Sequence, residues 1–206
     1  MKIGTRTILF GVHQFVWHPV TVWLAFHKLY RRWPSWWETV GIVCHDLGYW
    51  GRSDIDGAEG RGHPVPGARL AAAIVGFFSP PSGVVGDCYR IGSERSFEVF
   101  DFCIGHSREM VKTYDILFGA GAAELSKLCW ADKYSIFFEP EWFYLLRARL
   151  SGEIQEFKQL AIKGGYVPAS ATDREWLHWY KGSVAKRKEI TELLTKPRPV
   201  LPCCLE

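Results

Sequence analysis

The chain has 206 residues, of which 48% are hydrophobic and 23% charged, a composition typical of a globular protein with one core. Its formal net charge of +3 is too small to predict nucleic-acid binding, and its six cysteines show no CxxC spacing. The apolar stretch 8–26 is interrupted by polar residues and a proline and lacks a cleavage-site pattern, which argues against a membrane span or a signal peptide. We therefore expect a cytoplasmic protein with reduced core cysteines.

The first predicted helix begins at His18. Residues 1–17 form a short lead-in, because Gly4 and Gly11 disfavour a long helix before about residue 12. Beyond the lead-in, helical spacing places four apolar residues on one face, at Val22, Ala25, Phe26 and Leu29. Pro34 predicts that this helix ends shortly before it.

A capping box opens the second predicted helix, because the hydroxyl of Ser35 is followed three residues later by Glu38. Gly48 is expected to end this helix. Its predicted inward face carries Trp37, Val40, Val43, Cys44 and Leu47. The adjacent pair His45 and Asp46 is therefore predicted in the last turn, where an imidazole and a carboxylate can bind one divalent cation.

A polar loop is predicted for residues 49–63, which are rich in glycine and carry charges of alternating sign. Loops of this kind often carry substrate contacts. Pro64 and Pro66 suit the start of a helix that continues through small residues over 68–78. Residues 80–92 are predicted as a further loop.

Two helices are predicted in the middle of the chain. The first covers 94–105 and has His106 at its end. The second covers 122–138 and ends before Pro140. One face of this second helix is predicted to carry Leu125, Leu128, Cys129, Asp132 and Ile136.

The C-terminal third is predicted to form two long helices. The first is amphipathic and covers 141–162, and the second begins with a capping box at 172–175 and reaches Thr195. Residues 196–206 are expected to be a flexible tail. Because no strand series or linker interrupts the helical pattern, we predict an all-α fold. The predicted architecture is a single-domain helical bundle over residues 1–195, with a motif core at 13–138 and C-terminal helices at 141–195.

Six residues of metal-ligand type follow one another on or beside these helices: His18, His45, Asp46, His63, His106 and Asp132. This order and its helical setting resemble the HD-domain superfamily of metal-dependent phosphohydrolases. The resemblance covers residues 13–138 and leaves the last third of the chain unmatched. The segment 63–68, His-Pro-Val-Pro-Gly-Ala, also resembles the His-Pro-x-x-Gly segment of the cyclic-dinucleotide phosphodiesterase branch.

The resemblance implies a site for one or two divalent metal ions. The ligands of the first ion would be His18, His45, Asp46 and Asp132. His63 and His106 would complete the ligands of a second ion, as in two-metal members, although the alternative is that they only bind phosphate. His13 is the alternative to His18 as the first ligand, whereas His27 and His178 are interpreted as surface or packing residues.

The predicted chemistry is hydrolysis by a metal-activated water. A carboxylate such as Asp46 can bridge two ions about 3.5–4 Å apart, which lower the pKa of a bound water and neutralise charge on a phosphoryl group. A histidine-rich set of ligands suits Mn, Fe, Co, Ni or Zn better than Mg. Asp56 and Glu59 are candidate catalytic residues beside Asp46, because either could orient the water or bind a sugar hydroxyl.

Four basic residues flank the predicted ligands and are candidate phosphate-binding residues: Arg52, Arg61, Arg108 and Lys133. Three positions after His45-Asp46, nucleotidase branches of the family often carry an acid and the cyclic-dinucleotide branch carries Lys. This chain has Tyr49 there, followed by Trp50. Neither substrate class therefore transfers directly, and the two aromatic residues either stack on a nucleobase or pack under the loop.

The sequence thus predicts an enzyme, a metal-dependent phosphohydrolase acting on a (deoxy)nucleoside mono- or triphosphate. One alternative is an HD-type diiron oxygenase, and others are a cyclic (di)nucleotide phosphodiesterase or a non-enzymatic HD domain that binds a nucleotide. The expected partner is a small phosphorylated molecule, with no membrane or nucleic-acid partner. The helices after residue 140 could form a homodimer face, although a monomeric core explains them equally well.

Overall fold

The computed structural model describes residues 1–79 and 93–196, and these residues form helices, turns and loops without a strand. Their α-helices, in chain order, are α1 (Ile3–Phe10), α2 (Trp17–Tyr30), α3 (Trp36–Cys44), α4 (Pro64–Phe78), α5 (Glu94–Ile104), α6 (Arg108–Phe118), α7 (Lys127–Tyr134), α8 (Glu141–Ser151), α9 (Glu153–Lys163), α10 (Asp173–Ala185) and α11 (Lys188–Thr195). Short 3₁₀ turns lie at Leu47–Tyr49, Gly60–Gly62 and Ser135–Phe138. The predicted all-α class is confirmed for this part of the chain.

Helix α2 crosses the centre of the fold. Its predicted apolar face is buried, since Val22, Ala25 and Phe26 are fully buried and Leu29 is 1% exposed. This face packs against Ile42 of α3 and against α5 and α7. Burial of these side chains on several sides gives α2 a stable position from which its first turn can present a functional residue.

Helix α3 begins as predicted but ends earlier. Both hydrogen bonds of the capping box form between Ser35 and Glu38. The helix ends at Cys44 rather than at Gly48, so the pair 45–46 lies in the turn that follows. The predicted inward face was wrong at Val43, which is 45% exposed.

The inward face of α3 is instead centred on Gly41 and Ile42. Ile42 is 1% exposed. A Cβ atom at Gly41 would lie only 2.8 Å from the ring of Phe102, so this glycine allows α5 to approach closely. The buried residues of α3 are Glu38, Gly41, Ile42 and Cys44, and Val43 is not among them.

The lead-in 1–17 contains a short helix, α1, which ends at Phe10, so no long helix forms before about residue 12, as predicted. Gly4 lies inside α1, and a Cβ atom there would lie 2.2 Å from the carbonyl oxygen of Tyr49. The glycine therefore lowers helix propensity but permits α1 to pack on the 3₁₀ turn at Leu47–Tyr49. Tertiary packing outweighs propensity here.

The helix predicted over 141–162 is broken at Gly152, whose φ of 91° ends α8 and begins α9. The long C-terminal helix is likewise divided into α10 and α11 by two residues, although its capping box at Thr172 and Glu175 is confirmed. The helix predicted over 122–138 is shorter, because α7 begins at Lys127 and Leu125 is 37% exposed before it. Helix α6 was not predicted.

The C-terminal helices pack onto the motif-bearing part of the fold. Helix α8 contacts α1, and one buried cluster joins Val12 and Ile136 to residues of α8, α9 and α10. Across residues 1–79 and 93–196, no helix combines the length and the apolar character needed to cross a membrane. The loop predicted over 80–92 and the tail from residue 197 onward lie outside the described residues.

Candidate metal centre

Six predicted ligands meet from five places in the fold. His18 lies in the first turn of α2, and Asp132 lies in α7. His45 and Asp46 lie in the turn after α3. His63 is the N-cap of α4, and His106 lies in the turn after α5. All except Asp132 are buried, with relative exposures of 0–6%.

Two glycines allow the elements to come this close. A Cβ atom at Gly67 of α4 would lie 2.5 Å from the carbonyl oxygens of Cys44 and His45. A Cβ atom at Gly48 would lie 1.9 Å from the carbonyl oxygen of His63. Any side chain at these positions would push α4 away from the turn after α3, so the glycines set the spacing between His45 and His63.

The side chain of Asp46 lies between two groups of ligands. Its Oδ2 atom is 3.1 Å from Nε2 of His18 and 3.1 Å from Nε2 of His45. Asp132 completes this group, with its Oδ1 atom 3.2 Å from Nε2 of His18. The other oxygen of Asp46, Oδ1, is 3.4 Å from Nε2 of His63 and 3.7 Å from Nε2 of His106. One carboxylate is therefore shared by two clusters, each of which could hold a metal ion.

Hydrogen bonds to the backbone fix the orientation of three histidines. The Nδ1 atoms of His45, His63 and His106 each contact the carbonyl oxygen of the residue three positions earlier. A carbonyl oxygen can only accept, so each Nδ1 atom carries the proton and each Nε2 atom presents a lone pair to the centre. This is the arrangement of metal-binding histidines, whose second nitrogen is held by the protein.

The inward-facing atoms do not satisfy one another. Nε2 of His63 and Nε2 of His106 lie 2.9 Å apart, and two lone pairs at this distance repel. Nε2 of His18, Nε2 of His45 and Oδ2 of Asp46 are buried and have no hydrogen-bond partner of suitable geometry among the described residues. Leaving such atoms unpaired is costly. A cation at each cluster would satisfy them, so the donor set fits a metal site.

The local electrostatics also favour cations. Burial lowers the pKa of His106 to about 3, and it lowers the pKa of His63 as well, so both imidazoles are neutral as ligands must be. Burial opposes protonation of His18, but the nearby carboxylates of Asp132 and Asp46 outweigh it and raise the pKa of His18 to about 8. The carboxylates of Asp46 and Asp132 thus favour a cation beside His18.

A cavity of about 400 Å³ opens beside these ligands, a volume within the range of small-molecule sites. Three other predicted site residues line it: Asp56, Arg108 and Lys133. Burial raises the pKa of Asp56 above its ordinary value, with smaller opposing effects from nearby histidines and an arginine. The cavity therefore combines metal ligands, two cations and the half-buried carboxyl group of Asp56.

The structure does not bring Arg52, Arg61 or Glu59 to this cavity. The loop folds on itself, so that Arg52 donates to the carbonyl oxygen of Gly48 at 3.2 Å and Arg61 to that of Asp56 at 3.0 Å. The carboxylate of Glu59 accepts from the backbone N–H of Ser53 at 2.9 Å. Arg52 and Glu59 line a separate, more open groove. These three residues are close to the predicted ligands in sequence but do not line the cavity beside them.

The two aromatic residues after the His-Asp turn, Tyr49 and Trp50, have different surroundings. Tyr49 is 5% exposed and its ring stacks on the ring of His63 at 3.8 Å, so it packs against a predicted ligand. Trp50 is 60% exposed and faces the separate groove. The interpretation of Tyr49 as a packing residue therefore fits the structure better than base stacking.

His13 lies beside the ligand clusters but is in neither of them. Its Nδ1 atom lies 2.6 Å from Oε1 of Glu153, which is fully buried, and its ring is 5.4 Å from that of His18. Of the two candidates for the first ligand, His18 is the one that faces Asp46. Away from the centre, His27 stacks on Trp33 at 3.7 Å, and His178 contacts a glutamate of α8.

Sequence reasoning missed the part of the cavity wall that the C-terminal third supplies. Five residues from this third line the cavity: Glu139, Tyr144, Phe157, Trp176 and Tyr180. The four aromatic residues carry only apolar helical spacing, which predicts burial but not a shared wall, and Glu139 carries no signal. Arg147 holds Glu139 in place and donates to the carbonyl oxygen of Gly11 at 2.7 Å, which ties α8 to the start of the motif region.

Comparisons with protein-family models, with curated proteins and with solved structures gave no match to this chain. The helical fold and the paired His/Asp clusters are compatible with an HD domain. The function of this chain is therefore inferred from the chemistry of the site itself.

Proposed function

We propose that this protein is a metal-dependent phosphohydrolase of the HD-domain type that acts on a nucleotide. The observation that carries the proposal is the position of Asp46, whose two oxygens face two separate clusters of buried ligands. Two bound divalent ions would supply an activated water and neutralise phosphoryl charge. Imidazole-rich ligands favour Mn, Fe, Co, Ni or Zn over Mg.

The remaining steps belong to the side chains that line the cavity. Arg108 and Lys133 would bind phosphoryl oxygens, since both lie beside predicted ligands and line the cavity. Asp56, a half-buried carboxyl group in the wall, would accept a hydrogen bond from a sugar hydroxyl or from the attacking water. Glu59 takes no part in this proposal, because its carboxylate caps the loop backbone at Ser53.

Metal content is the first test and needs no substrate. Inductively coupled plasma mass spectrometry of freshly purified protein should find two equivalents of a transition metal. His106→Ala should lower this toward one equivalent, because it removes a ligand from one cluster only. His178→Ala removes an exposed histidine from α10 and should change nothing. Wild-type protein without metal, or equal content in all three proteins, would contradict the metal centre.

Hydrolysis is the second test. Metal-loaded protein should release phosphate or pyrophosphate from at least one member of a panel of nucleoside mono-, di- and triphosphates. Asp46→Ala should abolish the activity, since it removes the ligand shared by both clusters. The proposal fails if no phosphoester or phosphoanhydride is cleaved, or if Asp46→Ala is as active as the wild type.

A diiron oxygenase of the HD type is the second candidate, because four of the six clustered donors are imidazoles, which bind iron well. Oxygen uptake by reduced, iron-loaded protein distinguishes the two functions. Uptake that depends on Asp46 would favour the oxygenase, and indifference to oxygen would remove it.

A further inference from the structure

A third basic residue lies near the two that line the cavity. Arg187 sits between α10 and α11, in the part of the chain that carries no motif. Val184 and Ile190, which flank it in sequence, are fully buried in one cluster with Cys129 and Trp130 of α7. This packing fixes Arg187 against the helix that carries Lys133.

Arg108 also packs against α7, through the ring of Trp130. The guanidinium carbon of Arg108 lies 5.0 Å from the centroid of the Trp130 ring. Lys133 follows Trp130 by three residues, which places it on the next turn of the same side of α7. Burial raises the pKa of the Cys129 thiol, and Lys133, Arg108 and Arg187 each oppose this rise. The three basic residues from α6, α7 and the α10–α11 junction therefore share one neighbourhood beside α7.

The surroundings of this group include the carboxylate of Asp132. Burial and the nearby Arg187 oppose the charge on Lys133, but Cys129, Asp132 and Tyr180 outweigh them and raise the pKa of Lys133. Burial raises the pKa of the Tyr180 phenol in the cavity wall, and Lys133 and Arg187 both oppose this rise. Among the described carboxylates, only that of Glu189 comes within 4.0 Å of the three, at 3.9 Å from Nη2 of Arg108. The Nε atoms of Arg108 and Arg187 are buried and have no hydrogen-bond partner within the described ranges. Like charges held together in this way favour a multiply charged anion.

We propose that Arg108, Lys133 and Arg187 form an anion subsite for the phosphate chain of a di- or triphosphate. The reacting phosphoryl group would lie at the metal ligands, and the further phosphates would reach toward Arg187. This inference rests on the proposed function and narrows its substrate, because a monophosphate held at the metal centre would leave the third cation unused.

Isothermal titration calorimetry with inorganic tripolyphosphate tests the subsite in the full-length protein. Arg187→Ala should weaken binding about tenfold, because it removes a charged hydrogen-bond donor. Lys186→Ala removes the same charge from the adjacent, exposed position and should weaken binding less than about twofold. Wild-type protein should bind orthophosphate about tenfold more weakly than tripolyphosphate. Repeating the titrations in Asp46→Ala protein excludes phosphate bound through metal.

If Arg187→Ala does not fold, as judged by circular dichroism, Arg187→Lys replaces it. This variant keeps the charge but loses the buried Nε–H group, and it should weaken tripolyphosphate binding about threefold. Equal affinities for the Arg187 and Lys186 variants, or equal binding of the two anions by wild type, would overturn the subsite. If tripolyphosphate binding depends on Arg187 but no nucleotide is hydrolysed, the subsite stands and the hydrolase proposal fails.

Discussion

Gly67 and Gly76 occupy the same helix but have different surroundings. A Cβ atom at Gly67 would overlap the carbonyl oxygens of Cys44 and His45 at 2.5 Å, whereas one at Gly76 would make an ordinary contact with Ser96 at 3.6 Å. Gly67→Ala should therefore lower the free energy of unfolding by about 2 kcal/mol or more, through overpacking of backbone. It should also reduce bound metal, because His63 would move away from His45.

Gly76→Ala is the matched control in α4. Alanine is the better helix former by roughly 0.5–1 kcal/mol, so this variant should be as stable as the wild type or slightly more stable. Urea unfolding and metal analysis of both variants check the prediction. Equal effects of the two substitutions would show that the close approach at Gly67 does not position the site.

Residue type and order were enough to predict a group of histidines and aspartates that could hold a metal ion, and the structure places these residues in two clusters around Asp46. Arg52 and Arg61 flank predicted ligands in sequence, but the loop folds them away from the cavity. The direction of a loop depends on backbone hydrogen bonds between residues several positions apart, and composition does not specify these.

At the scale of one element, the N-terminus of α3 combines a capping box with an ion pair. The carboxylate of Glu38 accepts from the backbone N–H of Ser35 at 2.8 Å and from Arg32 at 2.7 and 2.6 Å. Glu38→Gln should lower the free energy of unfolding by about 1–3 kcal/mol at neutral pH, because a charged acceptor of several hydrogen bonds is lost. Glu98→Gln, in the exposed pair with Arg95, should change it by less than about 0.5 kcal/mol.

The stabilisation from Glu38 should depend on pH. Burial tends to raise the pKa of Glu38, but the hydrogen bonds from Arg32 and Ser35 outweigh it and lower the pKa below the ordinary value of 4.5. A carboxyl group with a lowered pKa stabilises the fold above its unfolded pKa and loses this effect as pH falls through the folded pKa. The difference in stability between wild type and Glu38→Gln should therefore shrink only below pH 4.5. A constant difference down to the acid transition would contradict this account.

Element boundaries could be predicted where a local signal sets them. The capping boxes before α3 and α10 were correct because the same few residues that carry the signal make the hydrogen bonds. Gly152 breaks the predicted helix over 141–162 by adopting a φ of 91°. The bend brings the fully buried Glu153 to the backbone N–H of Val12 at 2.8 Å, a contact across 141 residues that no local pattern reveals.

On the scale of the whole molecule, the candidate site lies where the motif-bearing part of the chain meets the C-terminal helices. The ligands come from α2, the turn after α3, the N-cap of α4, the turn after α5 and α7, and the C-terminal helices supply one wall of the cavity. Helices α8 and α9 are tied to residues 11–13 through Arg147 and Glu153. Removal of a metal ion from this centre should thus lower the stability of the whole fold rather than that of one element.

Chelation of metal should therefore destabilise the protein in a single transition. An ion that binds only the folded state, at about 100 times its Kd, stabilises by about 2.7 kcal/mol, which corresponds to roughly 5–10 °C in Tm for a chain of this size. Differential scanning calorimetry with and without chelator measures the shift. Asp46→Ala, which lacks the ligand shared by both clusters, should show no response to chelator. An equal response in this variant would mean that the chelated ion binds independently of Asp46. A wild-type Tm that chelator leaves unchanged would mean that the buried histidines and aspartates are stable without an ion.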